Sequence, residues 1–291
     1  MSLIYDASFD SQTRVLSLLD KSGNVISSCE VPSKELVDDP NKPLMLRAIE
    51  GNSSVTLTKR GTGTLSNTYQ TSTNGTDWTD YTLGTKIILN KGESVYFRCS
   101  NHPTTQTESD YVYFAMTGKI EAWHNAYSMI SSDFSSAEES VGDYGMNGLF
   151  EYCSSLTKAP LLLNALSTYC YYGTFLGTSI TQAPELSATT LAKGCYTSMF
   201  ASCYSLTQAP ELPATTLAEG CYTSMFWSSS KLKEVRISAI TTATDALKEW
   251  LDGVAAKGDF YCYPNATIFP RNSISGIPSG WRRLNINDYP N

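Results

Sequence analysis

A repeat governs what this chain can fold into. The segment FASCYSLTQAPELPATTLAEGCYTSM, Phe200 to Met225, is matched by FLGTSITQAPELSATTLAKGCYTSM, Phe175 to Met199, and more loosely by FEYCSSLTKAPLLLNALSTYCYYGT, Phe150 to Thr174. A partial fourth copy opens with FWSSSKLKEV at Phe226. The phenylalanines fall at 150, 175, 200 and 226, a period of 25 or 26 residues. One unit of that length cannot cover its own apolar face, whereas stacked units bury identical residues against one another. Residues in this region are therefore read by their phase in the repeat.

Each copy divides into two short pieces. Leu156, Ile180, Leu206 and Leu232 begin an extended piece that stops at Pro160, Pro184 and Pro210 in the first three copies, because proline withholds a ladder donor. In the second piece Leu191, Cys195 and Met199 stand four residues apart, as do Leu217, Cys221 and Met225, which is one stripe of a short helix or helix-like turn. Gly194 and Gly220 interrupt it, so a long regular helix is not expected. The period lies within the range of about 20 to 29 residues of leucine-rich repeats. Cys170, Cys195 and Cys221 share one phase, and Cys153 and Cys203 share another with Thr178 and Ser229, as suits small side chains packed in an internal ladder. No CxxC pair occurs, and no metal site is expected.

The flanks complete an α+β multidomain reading. Residues 1–37 contain two alternating apolar pieces around Lys21-Ser22-Gly23-Asn24, a β-hairpin that needs a partner surface because a lone hairpin is marginal. It is expected to anchor or oligomerise the chain, with a proline-flanked acidic linker at Leu36–Pro43. Residues 38–119 show short strands separated by Gly61-Thr62-Gly63, Asn74-Gly75 and Asn90-Lys91-Gly92, a small β-sandwich with Trp78 as a core or edge plug. A leucine-rich-repeat solenoid is then expected over 120–240 and a C-terminal cap over 241–291. The cap holds one helix, Thr242 to Ala256, with Thr242 and Asp245 at its start and Leu247, Trp250, Leu251 and Val254 on one face.

Composition bears on partners. Charged residues are 17% of the chain, Ser and Thr number 69, Tyr numbers 18, and the net charge is −7. A protein that neutralises phosphates needs the opposite balance, so nucleic acid is excluded as a partner. No apolar run is long enough for membrane insertion. From Glu121 to Ile237 ten acidic and five basic residues leave −5, so the ligand is not strongly anionic. Tyr171, Tyr172, Tyr196, Tyr204, Tyr222 and Trp227 recur around the repeats among Ser and Thr. Aromatic faces in such surroundings suit sugar rings or protein loops, and these six are the candidate ligand-binding residues. No GxSxG, GxxxxGKS or HExxH pattern occurs, no catalytic residue is assigned to His102, His124, Glu138 or Glu139, and no cofactor is expected.

The stretch CYTSMFASCYSLTQAPELPATTLAEGCYTSMF resembles the BspA-like surface leucine-rich repeats, in a variant found in Bacteroidales bacteria and their phages. TNGTDWTDYTLGTKIILNKGESVYFRC resembles the β-domain that precedes such repeats, and ALKEWLDGVAAKGDFYCYPNA with SGIPSGW resembles their carboxyl end, so the resemblance covers about residues 44–282. It implies either a virion protein or a cell-surface adhesin. The amino terminus has no basic start and no apolar stretch of a signal peptide, and it resembles the anchoring segments of phage fibre proteins. The expectation is a non-enzymatic, fibre-like virion structural protein, held to other virion proteins by its N-terminal segment and displaying the repeats to a host-surface glycan or protein. By analogy with fibres it is a homo-oligomer, a trimer. The alternatives are a bacterial cell-surface adhesin and a glycan-degrading appendage.

Overall fold

The structure is a computed structural model that describes residues 6–10, 15–30, 36–65, 67–100, 106–131 and 140–289. It divides into two compact units, Met1–Val37 and Asp38–Asn291. In the first, β1 (Asp6–Asp10), β2 (Val15–Leu19) and β3 (Val25–Glu30) form an antiparallel sheet in that order. The Asp20 carboxylate closes the β2–β3 turn by accepting from the amides of Ser22 and Asn24 at 2.8 and 2.9 Å. These bonds hold the carboxyl below its ordinary pKa.

The second unit opens with β4 (Met45–Ala48), β5 (Ser53–Arg60), β6 (Tyr69–Ser72), β7 (Thr79–Tyr81), β8 (Ile87–Leu89), β9 (Ser94–Cys99), β10 (Tyr111–Thr117) and β11 (Ile120–Trp123). Alternation decides which faces turn inward: in β9, Val95, Phe97 and Cys99 are buried between half-buried neighbours. One sheet runs β10-β5-β8, and a second runs β12-β11-β4-β9-β6-β7, where β12 (Leu156–Lys158) belongs to the first repeat. Because β11 pairs antiparallel with β4 and parallel with β12, the repeats grow directly out of the sheet. A single apolar core continues from Leu44 to Trp281.

Inside the repeats two aromatic rows stack from rung to rung. Phe150, Phe175, Phe200 and Phe226 lie with centroids 5.6, 5.7 and 5.7 Å apart and planes within 9°. Phe114 of β10 begins this row 5.4 Å from Phe150. Tyr171, Tyr196 and Tyr222 form the second row at 5.9 and 6.0 Å, and Trp250 lies against the ends of both. Such pairs add to the apolar area already buried. The remaining strands are β13 (Thr216–Leu217), β14 (Glu234–Arg236), β15 (Thr241–Thr242), β16 (Gly258–Cys262) and β17 (Trp281–Asn285). β14, β16 and β17 form a parallel sheet, and β13 pairs with β15.

The expected α+β class, with a leucine-rich-repeat solenoid closed by a helical cap, is overturned. The fold is nearly all-β, with 30% of residues in strands spread over several sheets and no α-helix among the described residues. The apolar residues spaced by four do not mark a helix. In each rung every fourth residue is left-handed, as at Tyr144, Gly148 and Tyr152 (φ 54°, 57° and 56°) and at Gly194, Ser198 and Ser202 (60°, 54° and 56°). A left-handed residue at that interval cannot belong to a right-handed helix. Amides between them close turns, such as Leu149 N–H to Met146 O and Glu151 N–H to Gly148 O, while Phe150 and Tyr152 N–H reach Thr174 O and Leu176 O of the next rung. The segment Thr242–Ala256 is built the same way, with Asp245, Glu249 and Gly253 left-handed at 55°, 53° and 72°. Trp250 and Leu251 are buried there by a ribbon of turns. No helix among the described residues is long and apolar enough to cross a membrane.

Candidate functional site

One position of the repeat brings together the residues that can hold a ligand. Tyr144, Tyr169, Gly194, Gly220 and Asp245 occupy it in successive rungs, with φ of 54°, 52°, 60°, 61° and 55°. The first four donate their amides to Thr168, Lys193, Glu219 and Thr244 carbonyls at 2.9 to 3.1 Å, so the rung-to-rung ladder imposes the left-handed backbone whatever the side chain. Glycine takes that conformation freely, whereas a tyrosine gives up about 1 to 2 kcal/mol. Two adjacent tyrosines held this way at the surface are the kind of stored strain found at binding sites.

The tyrosines build a wall. The rings of Tyr144 and Tyr169 stack at 5.2 Å with planes 16° apart, and Tyr172 meets Tyr169 edge-on at 6.2 Å. Tyr169 lies over Gly194, where a β-carbon would stand 2.1 Å from Cε1 of the ring. From Gly194 onward the row has no ring, which leaves a depression of about 300 Å³ beside the wall. Its far side holds Thr197 and Thr223, whose hydroxyls donate to Gly220 O and Asp245 O at 3.0 and 2.7 Å. Their lone pairs remain as acceptors.

Charges of both signs border the depression: Glu108, Glu219 and Asp245 face Lys248, and Lys193 pairs with Glu219 at 2.9 Å. Burial, reinforced by the Glu108 carboxylate, raises the pKa of Tyr144 and Tyr172. Both therefore stay protonated and offer O–H donors at neutral pH. The site combines an aromatic wall with hydroxyl, carboxylate and ammonium groups and little net charge.

The residues proposed from sequence separate into two sets. Tyr171, Tyr196 and Tyr222 are 0–1% exposed, and their placement in the interior stack removes them from any ligand. The Tyr171 hydroxyl is spent on Leu163, donating to its carbonyl at 2.9 Å and accepting from its amide at 3.0 Å. Tyr172 lines the depression. Tyr204 and Trp227 are surface residues, 55% and 45% exposed, but do not line it. Tyr144 and Tyr169 were missed, although a tyrosine at a phase that later rungs give to glycine is a signal visible in the repeat alignment.

His124 is buried, its Nδ1 accepts from the Asp39 amide at 3.1 Å, and its ring stacks on Tyr96. Burial lowers its pKa, so it is a neutral structural residue. His102, Glu138 and Glu139 lie outside the described residues. Among the described residues no three acidic, His or Cys side chains converge as a metal site, and Cys99, Cys153, Cys170, Cys195, Cys203, Cys221 and Cys262 are buried free thiols. Compared with protein-family models, curated proteins and solved structures, the chain has no match.

Proposed function

We propose that this chain is a non-enzymatic adhesive protein that presents the Tyr144–Tyr169–Tyr172 wall to a neutral glycan on a host surface. The observation that carries the reading is the depression beside Gly194, where stacked rings meet hydroxyl, carboxylate and ammonium groups of nearly balanced charge. A sugar ring needs an apolar face for its C–H groups and both donors and acceptors for its hydroxyls. An anionic ligand would meet Glu108, Glu219 and Asp245. The resemblance of the repeats to BspA-like proteins and of residues 1–37 to fibre anchors supports a virion protein attached through that unit, with other virion proteins and further copies of the chain as partners. A bacterial cell-surface adhesin of the same design is the alternative.

The test is binding of the purified full chain to host cells and to an array of neutral and acidic glycans. Binding to neutral glycans that falls at least tenfold in Tyr169→Ala and in Tyr144→Ala supports the site. Unchanged binding in both variants refutes it, and turnover of a bound glycan refutes the non-enzymatic reading. Incorporation of a chain lacking residues 1–37 into particles would overturn the attachment reading.

A further inference from the structure

Among the described residues the most exposed aromatic residues are Tyr152, Tyr204 and Trp227, at 65%, 55% and 45%, and all three belong to one stretch of the rung-to-rung ladder. Tyr152 N–H donates to Leu176 O at 2.6 Å, Gly177 N–H to Ala201 O at 2.8 Å and Ser202 N–H to Trp227 O at 2.7 Å, while Tyr204 N–H turns back to Ser202 O at 3.1 Å. Tyr152 in the first rung, Tyr204 in the third and Trp227 in the fourth are therefore grouped around Ser202. Each rung advances by the 5.6 to 5.7 Å of the phenylalanine row.

The backbone beneath them repeats the arrangement of the tyrosine wall. Tyr152, Gly177, Ser202 and Ser228 are left-handed, at φ 56°, 70°, 56° and 61°. Tyr152 lies over Gly177, where a β-carbon would stand 3.0 Å from Cδ1 of the ring, as Tyr169 lies over Gly194. A tyrosine again holds an angle that later rungs give to glycine or serine, and the strain is kept at a surface ring. From Gly177 this column continues through Ser202 to Ser228, beside Trp227, so rings stand at both ends with serine hydroxyls between them.

This group is continuous with the wall. Burial raises the pKa of Tyr172, and the Tyr152 hydroxyl is close enough to add to the shift. The intervening left-handed column holds Gly173, Ser198 and Ser224, at φ 56°, 54° and 52°, which are too small to stand between the two sets of rings. The carboxylate of Glu151, next to Tyr152 in sequence, is buried, paired with Arg60 at 2.7 Å and bonded by the Tyr111 hydroxyl at 2.9 Å. It therefore adds no free charge beside Tyr152.

We propose that Tyr152, Tyr204 and Trp227 form a second subsite for the glycan held at the Tyr169 wall, so that the ligand is a neutral oligosaccharide crossing several rungs. The proposal rests on the reading of the wall as a glycan site. Each ring takes the C–H face of one sugar, and the serine hydroxyls between them bond to its hydroxyls. Because the sugars are joined in one chain, the second contact is intramolecular and length adds affinity.

The probes are maltose and maltohexaose, cellobiose and cellohexaose, and mannobiose and mannohexaose, titrated calorimetrically onto the full chain. At least one hexasaccharide should bind about tenfold or more tightly than its disaccharide. Tyr152→Ala and Trp227→Ala, both at exposed residues, should abolish that difference and leave disaccharide binding unchanged, whereas Tyr169→Ala should weaken both lengths. Equal affinity of the two lengths for the parent chain, or a length difference that survives in both variants, overturns the second subsite and leaves the wall standing. Binding of none of the six probes also overturns it, and the glycan array then decides the wall separately.

Discussion

Gly194→Ala and Gly220→Ala place the same methyl group on the same backbone, φ 60° and 61°, in different surroundings. At Gly220 the new β-carbon meets nothing nearer than Thr223 Oγ1 at 3.6 Å, an ordinary contact. Only the cost of a left-handed alanine applies, about 1 to 2 kcal/mol. At Gly194 the β-carbon falls 2.1, 2.3 and 2.8 Å from three atoms of the Tyr169 ring. The ring must leave, and with it the stack on Tyr144, which contributes about 0.5 to 1.5 kcal/mol. Gly194→Ala should therefore cost about 1 kcal/mol more than Gly220→Ala, a gap of roughly 2 to 4 °C in Tm for a unit of this size. In a Tyr169→Ala background the ring is gone and the two alanines should cost the same. Thermal and urea unfolding of the four glycine variants, with and without Tyr169, measure this. Equal costs in the parent chain, or a gap that survives removal of Tyr169, would refute the argument that Gly194 exists to seat the ring.

Other expectations follow from the interior and the far end of the chain. Phe175 is fully buried between Phe150 and Phe200, so Phe175→Ala should cost about 3 to 5 kcal/mol by urea denaturation, and a loss under 1 kcal/mol would mean the ring row does not hold the rungs together. Burial pushes the thiols of Cys170 and Cys221 up to about 12 and that of Cys203 to about 11. At pH 8 a thiol-specific disulfide reagent should label them only after denaturant is added, and rapid labelling of the native chain would contradict their burial. Asp259 accepts from Arg282 at 2.6 and 2.7 Å, which holds its carboxyl below the ordinary value. A depressed folded pKa means stability that is present above the ordinary Asp value and lost as pH falls through the folded one. Asp259→Asn should remove a small part of the acid-side decline, and an unchanged pH profile would show the pair contributes nothing.

Much of what meets what in the repeats was legible. The phenylalanine phase at 150, 175, 200 and 226 corresponds to one continuous ring row, and the ladder cysteines 170, 195 and 221 are buried. The candidate site was legible only in part, because Tyr171 and Tyr172 are neighbours in sequence yet one is buried and the other lines the depression. In a turn ribbon neighbours follow no two-residue alternation, since Cys170 and Tyr171 are both buried and Tyr172 lines the depression, so recurrence of aromatic residues marks the stack as readily as the surface. Tyr144 and Tyr169 were overlooked because they break the repeat consensus. The signal they leave in the sequence is a tyrosine at the phase that later rungs give to glycine.

The left-handed backbone angle also explains the failure of the helix expectation. Leu191, Cys195 and Met199 share one side of a helix, but they equally share one side of a ribbon whose unit is four residues long with a left-handed residue in each. The two differ in where the amides go: a helix spends them on residues four back in its own chain, whereas here alternate amides cross to the next rung, as Phe200 N–H does to Met225 O and Phe175 N–H to Met199 O. Each crossing bond links rungs that are already joined by stacked rings. The backbone ladder and the aromatic rows thus favour the same register, which a set of isolated short helices would not provide. The left-handed residues are the cost of that ladder, and glycine or serine holds most of those positions in the second to fourth rungs because both are small and glycine adopts the angle without strain. Tyr144 and Tyr169 accept the angle with a bulky ring, so relieving it by Tyr169→Gly should leave folding nearly unchanged while abolishing binding at the wall. A ligand contact at these rings requires that split between stability and affinity, and a purely structural role requires the two to fall together.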